Sequence, residues 1–98
     1  MPTYVSLLKW TDQGIRAIKD SPQRLDAAKR AFSAAGGRMT DFYLVLGEYD
    51  IVNIGEFPSD EAYLTTILEI ASRGAVRPTS LKVFTEDEYR RIIAAIPP

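Results

Sequence analysis

An α+β fold, one antiparallel sheet with its helices gathered on a single side, is predicted by three observations on this chain of 98 residues. Alternating and helical apolar periodicities follow one another in the order strand, helix, strand, strand, helix, strand, with a further helix at the end. The alternating segments separate their side chains cleanly into two parities. The helical segments carry their own start and stop signals.

Thr3 to Trp10 reads as the first strand, with Val5 and Leu7 on one side and Tyr4, Leu8 and Trp10 on the other. Thr11 to Asp20 reads as a short helical turn, capped by Asp12, with Ile15 and Ile18 pointing inward. Ser21-Pro22 is a helix start, a hydroxyl cap before a proline in the first turn. Leu25, Ala28, Phe32 and Ala35 then recur at helical spacing, and Gly36-Gly37 ends the segment.

Phe42–Gly47 and Ile51–Phe57 read as a hairpin pair. Setting Leu46 beside Val52 and Leu44 beside Ile54 requires an odd loop, so Glu48, Tyr49 and Asp50 form a three-residue turn ending in a left-handed Asp50. That register places Tyr43 opposite Gly55. Ser59 caps the second long helix, with Asp60 and Glu61 in its first turn and a stripe of Leu64, Ile67, Leu68 and Ala71. Arg73-Gly74 closes it, and Thr79 to Phe84 is the fourth strand. Thr85 and Glu88 form a capping box for a last helix, whose sticky face is Tyr89, Ile92, Ile93 and Ile96. This order is the split βαβ pattern of ferredoxin-like domains. One domain spans residues 1–98, with no internal linker.

Composition narrows the function classes. Apolar residues make up 46% and charged residues 26%, the balance of an ordinary globular protein. A net charge of −1 lacks the basic field that nucleic acid requires. No window approaches the ~18 apolar residues of a bilayer span, and a strand begins almost at Met1, so neither membrane nor export signal is expected and the cytoplasm is the predicted location. The absence of cysteine excludes disulfides and thiol chemistry, and the absence of histidine removes the commonest base and metal ligand. Asp41, Glu48, Asp50 and Glu56 are too scattered to form a metal site, and no cofactor is expected.

With the helices on the parity of Val5, Leu7, Phe42, Leu44, Leu46, Val52, Ile54, Leu81 and Val83, the other sheet face is left open. It would carry Tyr4, Ser6, Leu8, Trp10, Tyr43, Val45, Ile51, Asn53, Ser80, Lys82 and Phe84. A solvated face should be polar, and this one is aromatic and aliphatic. A two-fold dimer with facing sheets would cover it, enclosing a space walled by Tyr4, Ser6, Tyr43, Asn53 and Lys82.

Gly47-Glu48-Tyr49-Asp50 followed by Ile51-Val52 closely resembles the signature of the GYD domain family of small bacterial proteins. The opening Pro2-Thr3-Tyr4-Val5-Ser6-Leu7-Leu8, the run Thr11-Asp12-Gln13-Gly14-Ile15 and the closing Phe84-Thr85-Glu86-Asp87-Glu88-Tyr89 are similar to that family as well. The resemblance spans nearly the whole chain. It implies a ferredoxin-like, dimeric α/β-barrel fold and carries no set of catalytic residues.

The ligand-binding candidates are therefore Tyr4, Ser6, Trp10, Tyr43, Asn53 and Lys82, with Gly47, Tyr49 and Asp50 as the motif. Lys82 on an enclosed face would be a base or Schiff-base former; on an edge it would reach water or a carboxylate. Trp10 would stack on a ligand or anchor the dimer. Tyr43 would donate a proton or fill space, and a buried Asn53 amide would need a ligand, a water or a structural partner. Tyr49 and Asp50 are explained by the turn alone. Three functions follow: a homo-oligomer binding a small apolar or aromatic molecule between its sheets, a cofactor-independent oxygenase or isomerase in the same space, or an assembly module whose interface is filled.

Overall fold

In the computed structural model, which describes every residue from Met1 to Pro98, four strands form one antiparallel sheet in the order β2-β3-β1-β4. The strands are β1 (Thr3–Trp10), β2 (Arg38–Leu44), β3 (Ile51–Glu56) and β4 (Val76–Val83). The helices are α1 (Asp12–Arg16), a 3₁₀ turn (Ile18–Asp20), α2 (Ser21–Ala34), α3 (Asp60–Ser72) and α4 (Glu86–Ala94). The element order and the ferredoxin-like split βαβ topology are those the sequence predicts.

The helices, however, cover the opposite face from the one expected. Tyr4, Ser6, Leu8, Ile51 and Asn53 are buried beneath them, whereas Val5, Leu7, Val52, Ile54 and Val83 are only half-buried. The reason lies in the partners that the helices bring. Tyr63 of α3 stacks on Tyr4 at 4.3 Å and 4°, and Phe57 meets both rings edge-on. Phe32 of α2 completes the cluster against Phe57. The Tyr63 hydroxyl lies 2.8 Å from Ser6 Oγ and donates to Ser80 Oγ at 2.7 Å. A face bearing phenols and serines can be buried where an aromatic helix supplies both rings and hydroxyls. The aliphatic face needs no such partners and stays outward.

The β2–β3 register also differs from the expected one. Leu44 pairs with Ile51 and Tyr43 with Val52, so residues 45–50 form the connection in place of a three-residue turn. Tyr43 lies on the open face, and Met39 takes its predicted place opposite Gly55. Asp50 causes the shift. Its backbone N–H donates to Leu8 O at 2.9 Å, and its carboxylate accepts from the Trp10 N–H at 2.9 Å. It is bound sideways to β1, and no residue other than glycine has a positive φ. β2 and β4 both begin several residues earlier than predicted, and β2 contains an irregularity between Met39 and Asp41.

Three smaller expectations fail as well. Ile15 and Ile18 are exposed because α1 lasts barely one turn; Gly14 is the residue it buries, against Ala75. Thr11, not Asp12, caps that helix. In α3, Leu64 and Leu68 are exposed while Tyr63, Thr66 and Ile67 face the sheet.

The helix α4 has the predicted capping box but packs along no other element. Its apolar residues Tyr89, Ile92, Ile93 and Ile96 are all exposed. The radius of gyration is 15.0 Å, against about 13 Å for a compact domain of this length.

Candidate functional site

Two features stand out, one on each side of the sheet. On the open side, the central strands β1 and β3 bring Leu7 opposite Val52 and Val5 opposite Ile54, and β4 adds Leu81 beside Val5. Thr3 and Val83 pair at one end, Thr79 stands beside Leu7, and Asp41 and Tyr43 form the β2 edge. This surface is a continuous aliphatic patch with polar groups only at its margins. Alternation in the sequence already paired these residues; which face the helices would choose was not encoded in alternation.

On the covered side, a cavity of about 100 Å³ lies between α2, the sheet and the C-terminal end of α3. Leu25 and Ala28 form its helical wall, Leu8, Phe42 and Ile51 its floor, and Arg24 and Arg73 contribute the cationic groups. Ala27, Ala28 and Ala31, small residues at helical spacing, keep α2 from filling the space. Two polar atoms here have no hydrogen-bond partner, Trp10 Nε1 and Asn53 Oδ1, and Asn53 is only 4% exposed. A buried amide without a partner costs on the order of 1–3 kcal/mol.

The six candidate residues thus divide. Trp10 and Asn53 both line the cavity under α2. Tyr4 and Ser6 are locked into the aromatic core by Asp60 and Tyr63. Lys82 lies at the edge, its Nζ 3.0 Å from Asp60 Oδ1. Tyr43 is 56% exposed on the far side of the sheet. Lys82, Asn53 and Tyr43, the three groups an enzyme would use, do not share a site. The expected wall between facing sheets is therefore corrected: Tyr4, Ser6, Asn53 and Lys82 belong to the helix side. Of the motif, Asp50 ties the hairpin to β1, and Tyr49 lies under the Lys9 ammonium, 5.3 Å from its ring centre. Gly47 is exposed in the connection, with open space around it apart from Val45.

The electrostatics are concentrated in one chain of groups. The Tyr4 phenol is pushed up to about 12 by burial, and also by its hydrogen bond to the Asp60 carboxylate. Asp60 is held below the usual carboxylate range by that same bond and by Lys82. Sequence reading missed Asp60, Tyr63 and Arg24. Tyr63 sits one position off the apolar stripe, and nothing in the periodicity distinguishes it from its neighbours. No group of acidic side chains is placed to hold a metal ion, and no helix is long and apolar enough to cross a membrane.

Known proteins resemble this chain in sequence and in fold. A family model described as the GYD domain matches residues 4–93. A Thermus thermophilus protein named "Glutamine synthetase and cystathionine beta-lyase binding protein" is 32% identical over 83 residues, covering 84% of this chain and 87% of that protein. Among solved structures, the feast or famine regulatory protein of M. tuberculosis, in complex with L-methionine, superposes with a TM-score of 0.66 at 19% identity. That likeness covers 87% of this chain and 51% of the other, so this chain spans about half its length. A crystal structure of a Thermus thermophilus protein superposes with a TM-score of 0.56, at 22% identity, over 87% of this chain and 95% of that one. These structural likenesses establish the fold.

Proposed function

This chain belongs to the GYD domain family, and from that premise we propose that it works as a homo-oligomeric binding module, two copies meeting through their open sheet faces. The observation that carries this reading is the aliphatic patch of Val5, Leu7, Val52, Ile54, Leu81 and Val83, which nothing in the chain covers. A surface of one chemical type, without buried polar groups to satisfy, is self-complementary under a two-fold axis. Four strands ~4.8 Å apart and roughly 20 Å long offer a projected area of about 400 Å², half the ~800 Å² per partner of a standard interface. The apolar face of α4, also unpartnered, brings the total toward that value when each helix reaches across to the other copy.

The same geometry alters the expected ligand compartment. Two such faces pack dry, with few polar groups to orient a small molecule, so the space between sheets is better read as filled. Leu7→Lys, on a central strand of the patch, tests this: the variant should keep its circular dichroism and sediment as a monomer. An unchanged oligomer would defeat the assignment.

A partner protein is a second reading. The Thermus relative is named for binding two enzymes, and here Leu44 and Leu46 stand exposed beside the β2–β3 connection. Co-sedimentation with purified glutamine synthetase from the same organism, lost in Leu46→Ser, would support it. No co-sedimentation would remove it.

A further inference from the structure

We infer that the cavity beneath α2 binds a compact apolar carboxylate. This is independent of how copies assemble, because the cavity is built within one chain. Three observations converge. Its wall is apolar and shaped by small side chains: Ala28 lines it together with Ile51 and Leu8, where a larger side chain would take up space. A volume of about 100 Å³ sits a little below the ~150 Å³ engineered cavity that admits benzene, which limits the enclosed part to a short branched or cyclic hydrocarbon.

The second observation is the pair of orphaned polar atoms. Trp10 Nε1 is an obligatory donor, and it is buried with nothing to receive its proton. Asn53 makes no hydrogen bond through its buried amide oxygen, and the amide can present its NH₂ group by rotating half a turn. A carboxylate offers acceptors for donors of both kinds. The third observation is charge. Arg24 and Arg73 line the cavity, and no acidic residue does. Arg73 is neutralised by Glu69 at 2.7 Å. Arg24 pairs with no carboxylate; it donates only to the carbonyls of Ala17 and Gly14, at 3.1 and 3.4 Å. A guanidinium retained at an apolar cavity without a counter-charge favours an anionic ligand.

A charge series of one shape tests the inference. Trp10 is the sole tryptophan, so its emission reports occupancy directly. The probes are 3-methylbutanoate, 3-methylbutanamide and 3-methylbutylammonium, titrated against Trp10 fluorescence and melting temperature. We expect the carboxylate to shift the emission saturably and to raise the melting temperature by mass action. The amide should bind about tenfold more weakly, since it loses the charge-assisted bonds, and the ammonium should not bind. Ala28→Leu should abolish the response by filling the space. Arg24→Gln, its fold checked by circular dichroism, should remove the preference for the carboxylate over the amide. Equal responses to the carboxylate and the ammonium, no response to any probe, or an undiminished response in Ala28→Leu would each overturn the inference.

Discussion

At the scale of single residues, the aromatic pair Tyr4 and Tyr63 explains why a polar-looking strand face became the core. Ser6 is wholly buried, and the Tyr63 hydroxyl is what makes that burial tolerable. Tyr63→Phe should therefore cost about 1–3 kcal/mol, the penalty of leaving a buried hydroxyl unpaired, measurable by urea denaturation. The Tyr4–Asp60–Lys82 chain adds a pH signature. A phenol whose folded pKa lies above its ordinary value of 10.0 contributes in full below pH 10 and loses that contribution as pH rises towards about 12. Asp60, with its folded pKa lowered, contributes above the ordinary carboxylate range and loses that contribution as the pH falls through its lowered value. Melting temperature should accordingly fall at both extremes. Tyr4→Phe should flatten the alkaline limb; an unaltered limb in that variant would contradict the role given to Tyr4. None of this was legible from residue types. Tyr4 and Asp60 are 56 positions apart, and only the packing of α3 on β1 brings them together.

At the scale of elements, the sequence was a good guide to what exists and a poor one to register. Caps were legible at two helices, where Ser59 and Thr85 accept from the amide three residues on; the expected Ser21 cap instead lies inside α2, whose cap position is Asp20 with no side-chain bond. The β2–β3 hairpin failed for a different reason. Local alternation and turn length favoured three pairs consistent with one another, but Asp50 found better partners in β1 than in its own turn. A long-range hydrogen bond outweighed a local rule, and an offset of odd residue number moved Asp41 to Leu44 to the other face. Asp50→Ala should then loosen the hairpin at Trp10 and destabilise by about 1–3 kcal/mol, with the fastest amide exchange gained at residues 45–50. Two of the glycines show how closely the elements approach one another. A Cβ on Gly14 would lie 2.1 Å from the Ala75 carbonyl oxygen, and one on Gly55 would lie 2.7 Å from Phe32. Gly14→Ala should be the more damaging, because a backbone carbonyl held by Thr11 cannot turn aside as a ring can. Comparison of their unfolding midpoints checks the order.

At the scale of the whole molecule, the sheet divides two tasks between its faces. The side under the helices holds an aromatic core and a small cavity; the other side holds an aliphatic surface with no cover. That one face needed covering was legible from alternation alone, since neither parity of the strands reads as solvated. Which face it was could not be read there, because that depends on which helix carries the rings and hydroxyls. Trp10 illustrates the consequence. It lines the cavity within its own chain, so Trp10→Asp should lower stability and leave the contact between copies intact. Removal of α4, by contrast, should weaken self-association without unfolding the sheet, because that helix makes no extended contact with another element of its own chain. Sedimentation velocity of the full chain at micromolar concentration tests the central claim most directly. We predict a species at twice the 10.9 kDa chain mass or a higher multiple, reduced to monomer by Leu7→Lys. A single folded monomer for the unaltered chain, its Val and Leu face open to solvent, would contradict it.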